Sequence, residues 1–343
     1  MKQRIGCRLA SGAFTALVLV AGSPAGAAAA EPLVIAQAAH AFTFVPLYVA
    51  EKGGFFREEG LDAELLVAAG GAQARAAVVG GSAAIGSAPP IEIAQAFVAG
   101  QKLLFFASMN NEFSQGVLVH KDFARERGIG VQAPLSDRIR ALKGARLSVT
   151  SSGSMTDHFL RFLLRSEKLD PDRDVSIVPM GGDASAALIA LERRAIDGLV
   201  HAPPAFEMAE HRGYGLLLIS GLKGEIPDLR GLQFTGLYTT RAYAEKNGPR
   251  LVRVVKAVGR ALRLIHTDTG RARALARTYF EKIPAPVFDL AWDRMTAVWP
   301  PDPTVNRDGI QVAISFYNTM SAKPLQVRFE DFATNRYVEE AQR

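Results

Sequence analysis

The sequence predicts an α/β fold of two similar lobes, each a mostly parallel sheet flanked by helices. Three observations predict it. From Leu33 onward, short apolar runs alternate with segments of helical periodicity, the pattern of strand-helix-strand units. The series stops and then restarts near Ala145. Finally, a block recurs. Gly70-Gly71 leads through a small-residue helix and a strand to Ala88-Pro89-Pro90, and Gly181-Gly182 leads the same way to Ala202-Pro203-Pro204. An Ala-rich chain with 31 Gly and 18 Pro can produce look-alikes by composition. The shared order of turn, helix, strand and exit favours two lobes of one design, with their matching loops facing each other across a cleft.

In chain order, Leu33 to Gln37 reads as a buried strand, Pro46 to Glu58 as a helix closing near Gly60, and Ala63 to Val67 as the next strand. Ala72 to Val79 is helical, Ala83 to Ser87 a strand, Ile91 to Ala99 a helix closed by Gly100, and Lys102 to Ser108 a strand. The second series comprises strands at Ala145 to Thr150, Val175 to Pro179 and Ile196 to Val200. Helices at Thr156 to Ser166, Ala184 to Arg194 and Ala205 to Gly213 alternate with them. Gly116 to His120 and Gln233 to Thr239, each followed by a helix start, bracket the second lobe and read as the two chain crossings, which permit a hinge. Beyond Pro249 the chain is mainly helical. Leu251, Val255, Val258, Leu262 and Ile265 line one face of the first such helix, and Arg253, Lys256, Arg260 and Arg263 line another, which reads as a solvated face. The resulting division is 1–30 leader, 31–118 lobe 1, 119–236 lobe 2, and 237–343 a return to lobe 1 with C-terminal helices.

The leader reads as an export signal. Lys2, Arg4 and Arg8 precede an apolar run from Leu9 to Gly22, and Ala28-Ala29-Ala30 offers a small-residue cleavage site before Glu31. The run is too short to span a bilayer, which takes ~20 residues. An exported, periplasmic protein cleaved after Ala30 is expected. The one cysteine, Cys7, falls in the leader, so the mature chain has no thiol, disulfide or cysteine metal site. Of the formal charge of +6, three belong to the leader, and the small remaining surplus with no recognition motif excludes a nucleic-acid role.

In open parallel sheets, ligands bind beyond the carboxyl ends of the strands. That rule nominates Ala38 to Phe44, Gly70 and Gly71, Ser87 to Pro90 (with Ala88), and Met109 to Asn111 (with Asn110) in lobe 1. In lobe 2 it nominates Ser151 to Thr156, Met180 to Asp183 (with Gly181), and His201 to Pro203. The stretch from Thr150 to Thr156 offers five hydroxyls at a helix start, suited to a carboxylate, sulfonate or nitrate. Helix capping by Ser154 accounts for one of them. Phe42, Phe44 and Tyr48 could wall a flat or apolar ligand, with Tyr48 turned instead to the core. Asp157 and Asp183 could hold an amine or a pyrimidine edge, or serve only the helix dipole. His40 and His201 could donate to an anion, or be structural. No catalytic constellation stands out, the six histidines lack metal-ligand spacing, and neither metal nor cofactor is expected.

The run from Phe44 to Asp62, FVPLYVAEKGGFFREEGLD, resembles the opening of the nitrate/sulfonate/taurine-type periplasmic substrate-binding proteins of ABC importers, a group that includes pyrimidine-precursor binders. Leu142 to Val149 and Ala195-Ile196-Asp197-Gly198 followed by Pro203 support it, and the likeness covers nearly all the mature chain. The resemblance implies a two-lobed venus-flytrap fold, type II-like, closing on a small molecule and delivering it to a membrane permease with a cytoplasmic ATPase. A monomer meeting the membrane only through that permease is implied too. In family terms the first loop maps to His40, Phe42 and Thr43, the Gly-Gly turn to Gly70 and Gly71, and the lobe 2 helix start to Ser152, Ser154 and Thr156. Where relatives carry Gly-x-x-Asp-Ile-Gly, this chain has Ala84 in place of the acid. The ligand expected is an organic anion of the sulfonate, taurine or carboxylate class. The alternatives are a neutral heterocycle such as a pyrimidine precursor, or an exported enzyme on the same scaffold.

Overall fold

The computed structural model describes residues 29–222, 224–320 and 323–343, and the leader expected over 1–30 lies almost wholly outside them. The first lobe runs β1 (Glu31–Gln37), α1 (Val45–Lys52), α2 (Phe55–Glu58), β2 (Leu61–Val67), α3 (Gly71–Val79), β3 (Ile85–Ala88), α4 (Pro90–Val98) and β4 (Leu103–Asn110). The second runs β5 (Gly116–His120), α5 (Lys121–Glu126), α6 (Leu135–Arg140), β6 (Arg146–Val149), α7 (Met155–Ser166), β7 (Ser176–Pro179), α8 (Ala184–Glu192), β8 (Gly198–His201), α9 (Ala205–His211) and β9 (Gly215–Ser220). The chain then returns through β10 (Thr235–Thr240) to α10 (Arg241–Lys246), α11 (Gly248–Thr267), α12 (Thr269–Arg277), α13 (Ala285–Met295), α14 (Arg307–Met320), α15 (Phe329–Phe332) and α16 (Arg336–Gln342).

The two sheets have one design. Strand order is β2-β1-β3-β10-β4 in the first and β7-β6-β8-β5-β9 in the second. In each, the first three strands pair in parallel and the strand arriving from the other lobe inserts antiparallel. The recurring block falls at equivalent places: each Gly-Gly follows the edge strand, β2 or β7, and each Ala-Pro-Pro closes or follows the central strand, β3 or β8. The predicted lobe architecture therefore holds, with one refinement. Gly116 to His120 and Gln233 to Thr239 are not the crossings themselves; they supply the strands β5 and β10. Boundaries at 118 and 236 would cut those strands, because a chain leaving one sheet is paired into the next as soon as it arrives. The crossings are residues 111–115 and 221–234, tied by Gly221 N–H donating to the Gln115 carbonyl (2.9 Å).

The helix expected from Pro46 to Glu58 breaks in two. Gly54 takes φ +74°, and a side chain at Gly53 would lie 2.7 Å from the Val49 carbonyl oxygen. Both faces of the first sheet are covered, as a parallel sheet requires. Ile35 packs with the α1 and α11 side chains, and Ala36 with those of α3 and α4. The apolar face of α11 is buried as its periodicity predicts, while Arg253 pairs with Glu31 (2.8 Å) and Arg260 with Glu58. Phe113 packs on Phe159 (4.7 Å between ring centroids) and Phe234 (5.0 Å), so the hinge is filled by rings from both crossings and from α7 of lobe 2. Among the described residues no helix is long and apolar enough to cross a membrane.

Candidate functional site

The loops at the carboxyl ends of the two sheets face each other and touch. Phe42 N–H donates to the Pro203 carbonyl (3.0 Å), and Met155 N–H, opening α7, donates to the Glu92 carboxylate of α4 (3.2 Å). Gln95 Nε2 meets His158 Nε2 at 3.5 Å, and Arg294 of α13 reaches Glu207 (2.7 Å) and Glu210 (3.3 Å) of α9. Two glycines make the closest approaches. A Cβ on Gly182 would lie 2.1 Å from the Ala38 carbonyl oxygen, and one on Gly70 would lie 2.6 Å from Ser151 Oγ. The two lobes are thus in the closed arrangement.

The hydroxyl-rich loop mostly satisfies itself. Ser154 Oγ donates to the Ser151 carbonyl (2.7 Å) and accepts from Thr150 Oγ1 (3.0 Å); Thr156 Oγ1 accepts from Thr150 N–H (3.0 Å) and lies 2.8 Å from Ser154 Oγ. Ser152 is exposed. The expectation that Ser152, Ser154 and Thr156 present hydroxyls to a ligand is therefore corrected: two brace the loop and one faces solvent. Carboxylates also hold this helix end. Asp157 accepts from Gly153 N–H (2.8 Å) and Glu92 from Met155 N–H. Ser151 is the exception, a buried hydroxyl without a hydrogen-bond partner.

Other buried polar atoms without partners gather at the same strand ends. Gln37, at the end of β1, donates Nε2 to the Tyr48 hydroxyl (3.0 Å) and leaves Oε1 unpaired. Its register neighbour Ser87 on β3 has an unpaired Oγ. Asn110, ending β4, donates Nδ2 to the Thr43 carbonyl (2.9 Å) and leaves Oδ1 unpaired. His201, ending β8, places Nδ1 3.3 Å from the Ala202 carbonyl and leaves Nε2 unpaired. Burial pushes the His201 pKa down, so the ring is neutral at pH 7, with the Ala202 and Gly182 carbonyls both beside it. Two of these five atoms, Gln37 Oε1 and Asn110 Oδ1, can only accept, and the two hydroxyls can do either. Unpaired buried polar groups are costly, about 1–3 kcal/mol each, so their concentration at one place marks a candidate site.

Beside the seam lies a cavity of about 480 Å³ between His40, Asp183, Ser185, His201, Met208 and the 278–283 loop. His40 stacks on Phe280 (4.6 Å), and Tyr48 on Tyr279 (4.1 Å). Burial lowers the His40 pKa, offset in part by Asp183 nearby. Asp183 caps α8 through Ser185 N–H (2.9 Å). Its pKa is held down because that capping contact, with the two histidines, outweighs its partial burial. The exposed cations Arg212 and Lys282 stand at the mouth.

Of the residues nominated from sequence, His40, Asp183 and His201 line this cavity. Ser87, Asn110, Gly70 and Gly71 lie at the seam. Gly181, at φ +89°, only shapes its loop through N–H to the Thr150 carbonyl (3.0 Å). Phe42 is no ligand wall; its ring is fully buried against Phe280 (4.7 Å) and Phe288 (5.1 Å). Ala88 is core, and Thr43 contributes its carbonyl to Asn110 and its hydroxyl to Ser114. Tyr48 is turned to the core as expected. Sequence reasoning missed Gln37, Glu92, Tyr279 and Phe280. For Glu92 a signal existed: a lone acid between Ile91 and Ile93 in the first turn of an apolar helix.

A family model described as the NMT1-like family matches residues 38–279, more than half of the chain. The chain belongs to the NMT1-like family. This NMT1-like protein is 24% identical over 242 residues to YtlA of Bacillus subtilis (strain 168), 69% of this chain and 67% of that one, a relative only provisionally named as a binding protein. A solved structure from Bordetella bronchiseptica RB50 matches with a TM-score of 0.80 at 26% identity, over 91% of this chain and 97% of its own. The periplasmic aliphatic sulphonate binding protein SsuA of Escherichia coli matches at 0.64 and 21%, over 90% and 99%. The fold is that of the two-lobed periplasmic binding proteins. It also carries chemistry elsewhere: the desulfurization enzyme DSZB matches at 0.56 and 13%, over 91% and 99%.

Proposed function

We propose that this protein is the exported solute-binding receptor of an ABC importer, closing its two lobes on a small ligand and presenting the closed form to a permease with a cytoplasmic ATPase. Closure excludes water, which strengthens the few hydrogen bonds left inside, and the partner then reads the closed arrangement. One observation carries the reading: buried, unpaired polar atoms from both lobes, Gln37, Ser87 and Asn110 on one side and Ser151 and His201 on the other. Because two of them, Gln37 Oε1 and Asn110 Oδ1, only accept, the ligand is a hydrogen-bond donor. This moves the preferred ligand from the organic anion expected from sequence to a neutral or cationic nitrogen compound. The anion reading keeps one support, Arg212 and Lys282 at the cavity mouth.

A thermal-shift panel on residues 31–343 tests this with aminopyrimidines, amidines, amines, alkanesulfonates, nitrate and carboxylates. A ligand at 100 times its dissociation constant adds about 2.7 kcal/mol, several degrees in midpoint. A shift with the nitrogen compounds is expected; a shift confined to anions contradicts the ligand reading. Mass spectrometry of the recovered ligand decides between receptor and enzyme, since a receptor returns it unchanged.

A further inference from the structure

We infer that Glu92 sets specificity by exclusion: from lobe 1 it fills the anion position at the α7 N-terminus of lobe 2, so strong anions are kept out of the cleft. This rests on the receptor reading above and concerns the same cleft. Glu92 is 2% exposed, and its Oε1 accepts from Met155 N–H at 3.2 Å. The N-terminus of the twelve-residue α7 favours a negative charge, and above about pH 7, where Glu92 is ionised, the protein supplies its own. The side chain reaches across only because position 71 is glycine, where a Cβ would sit 2.5 Å from Oε2. Arg75 of α3 stands 3.8 Å from the same oxygen. Ser151, 7% exposed, adds a hydroxyl without a partner at this helix end. The carboxylate thus sits between helix amide and guanidinium, with the unpartnered Ser151 hydroxyl at the same helix end, a set of groups that would hold a sulfonate or sulfate in its absence. Asp157, two residues into the helix, is committed to Gly153 N–H and Arg161 and stays when Glu92 is removed.

Calorimetric titration at pH 8, where Glu92 is ionised, of the wild type, Glu92→Ala and Glu92→Ser with methanesulfonate, sulfate and nitrate tests the assignment. Anion binding by the wild type should stay below the detection limit, and at least one variant should bind about ten-fold or more tightly than that limit. Adding Arg75→Ala should remove the gain, which places the new site at Glu92. A readout needing no variant is the Met155 amide resonance of the wild type, which concentrated sulfate should leave unmoved. Anion binding by the wild type with a Met155 shift overturns the assignment. So does the absence of any gain in folded variants. If folded variants gain no anion binding yet keep the ligand found in the panel, the receptor reading stands and only the role of Glu92 falls. If the wild type takes up anions in the cleft, the donor-ligand reading falls with it.

Discussion

Gly182→Ala is the sharpest perturbation of closure that the structure offers. Gly182, in the loop after β7, has a backbone conformation open to any L-residue, so alanine strains nothing within lobe 2. Its Cβ would nevertheless lie 2.1 Å from the Ala38 carbonyl oxygen and 3.0 Å from Ala39 Cα, both in lobe 1. Ordinary contact begins at 3.4 Å, so the lobes must part by about 1.3 Å at that point. Backbone meets backbone there, and no side chain can swing aside. Overpacking of this kind costs about 1–3 kcal/mol, charged only to the closed form. Affinity for a ligand that requires closure should therefore fall roughly 5- to 150-fold, with little change in the unliganded unfolding midpoint. Calorimetric titration measures the affinity, and small-angle scattering of the liganded protein measures the residual opening. Gly130→Ala is the control, since a Cβ there meets nothing within 4 Å. Equal affinities for the two variants would refute the claim that the Gly182 contact belongs to the binding-competent state.

Three further outcomes follow from the same geometry. Ser87→Ala deletes a buried hydroxyl that has no partner, so the unliganded protein should be as stable as the wild type or slightly more so, while ligand affinity drops several-fold; a loss of stability without loss of affinity would make Ser87 structural. Burial pushes Glu92 up to about 7 from an ordinary 4.5, Arg75 and Met155 N–H opposing, and Tyr238 of β10 feels its charge. Its stabilising protonation is complete below about pH 4.5 and lost as pH rises through 7, so Glu92→Gln should gain on the wild type toward pH 8 by up to about 3 kcal/mol, and denaturant midpoints at pH 5 and 8 that differ equally would contradict it. Arg294→Ala strands the fully buried Glu207, whose pKa is already raised by burial; fully buried pairs lose about 3 kcal/mol or more, less here because Arg294 is about a third exposed. The variant should open more readily in scattering, and an unchanged radius would remove that pair from the closure mechanism.

Much of the fold was legible because strand and helix periods are local. The equivalent Gly-Gly and Ala-Pro-Pro blocks also marked the same two places in each lobe. What escaped depends on partners far along the chain. Gly116 to His120 reads as an apolar run whether it crosses between lobes or pairs with β8 and β9, and only the completed sheet decides. The site shows the same division. His40, Asp183 and His201 line one cavity because each ends or follows a strand, a topological rule. Ser154 and Thr156 misled because hydroxyl content does not say whether the hydroxyls bond one another. Tyr279 and Phe280 come from the segment after α12, whose return to the β1 loop no local pattern announces.

The central claim is that one small ligand is gripped by loops of both lobes at the strand ends. Backbone hydrogen exchange of the mature protein, with and without the ligand found in the panel, tests it most directly. Protection should rise together over residues 37–43, 87–92 and 108–111 of lobe 1 and over 150–156, 180–185 and 201–205 of lobe 2. Protection confined to a single lobe, or to the groove of about 440 Å³ between Arg241, Arg307 and Tyr337, would contradict it.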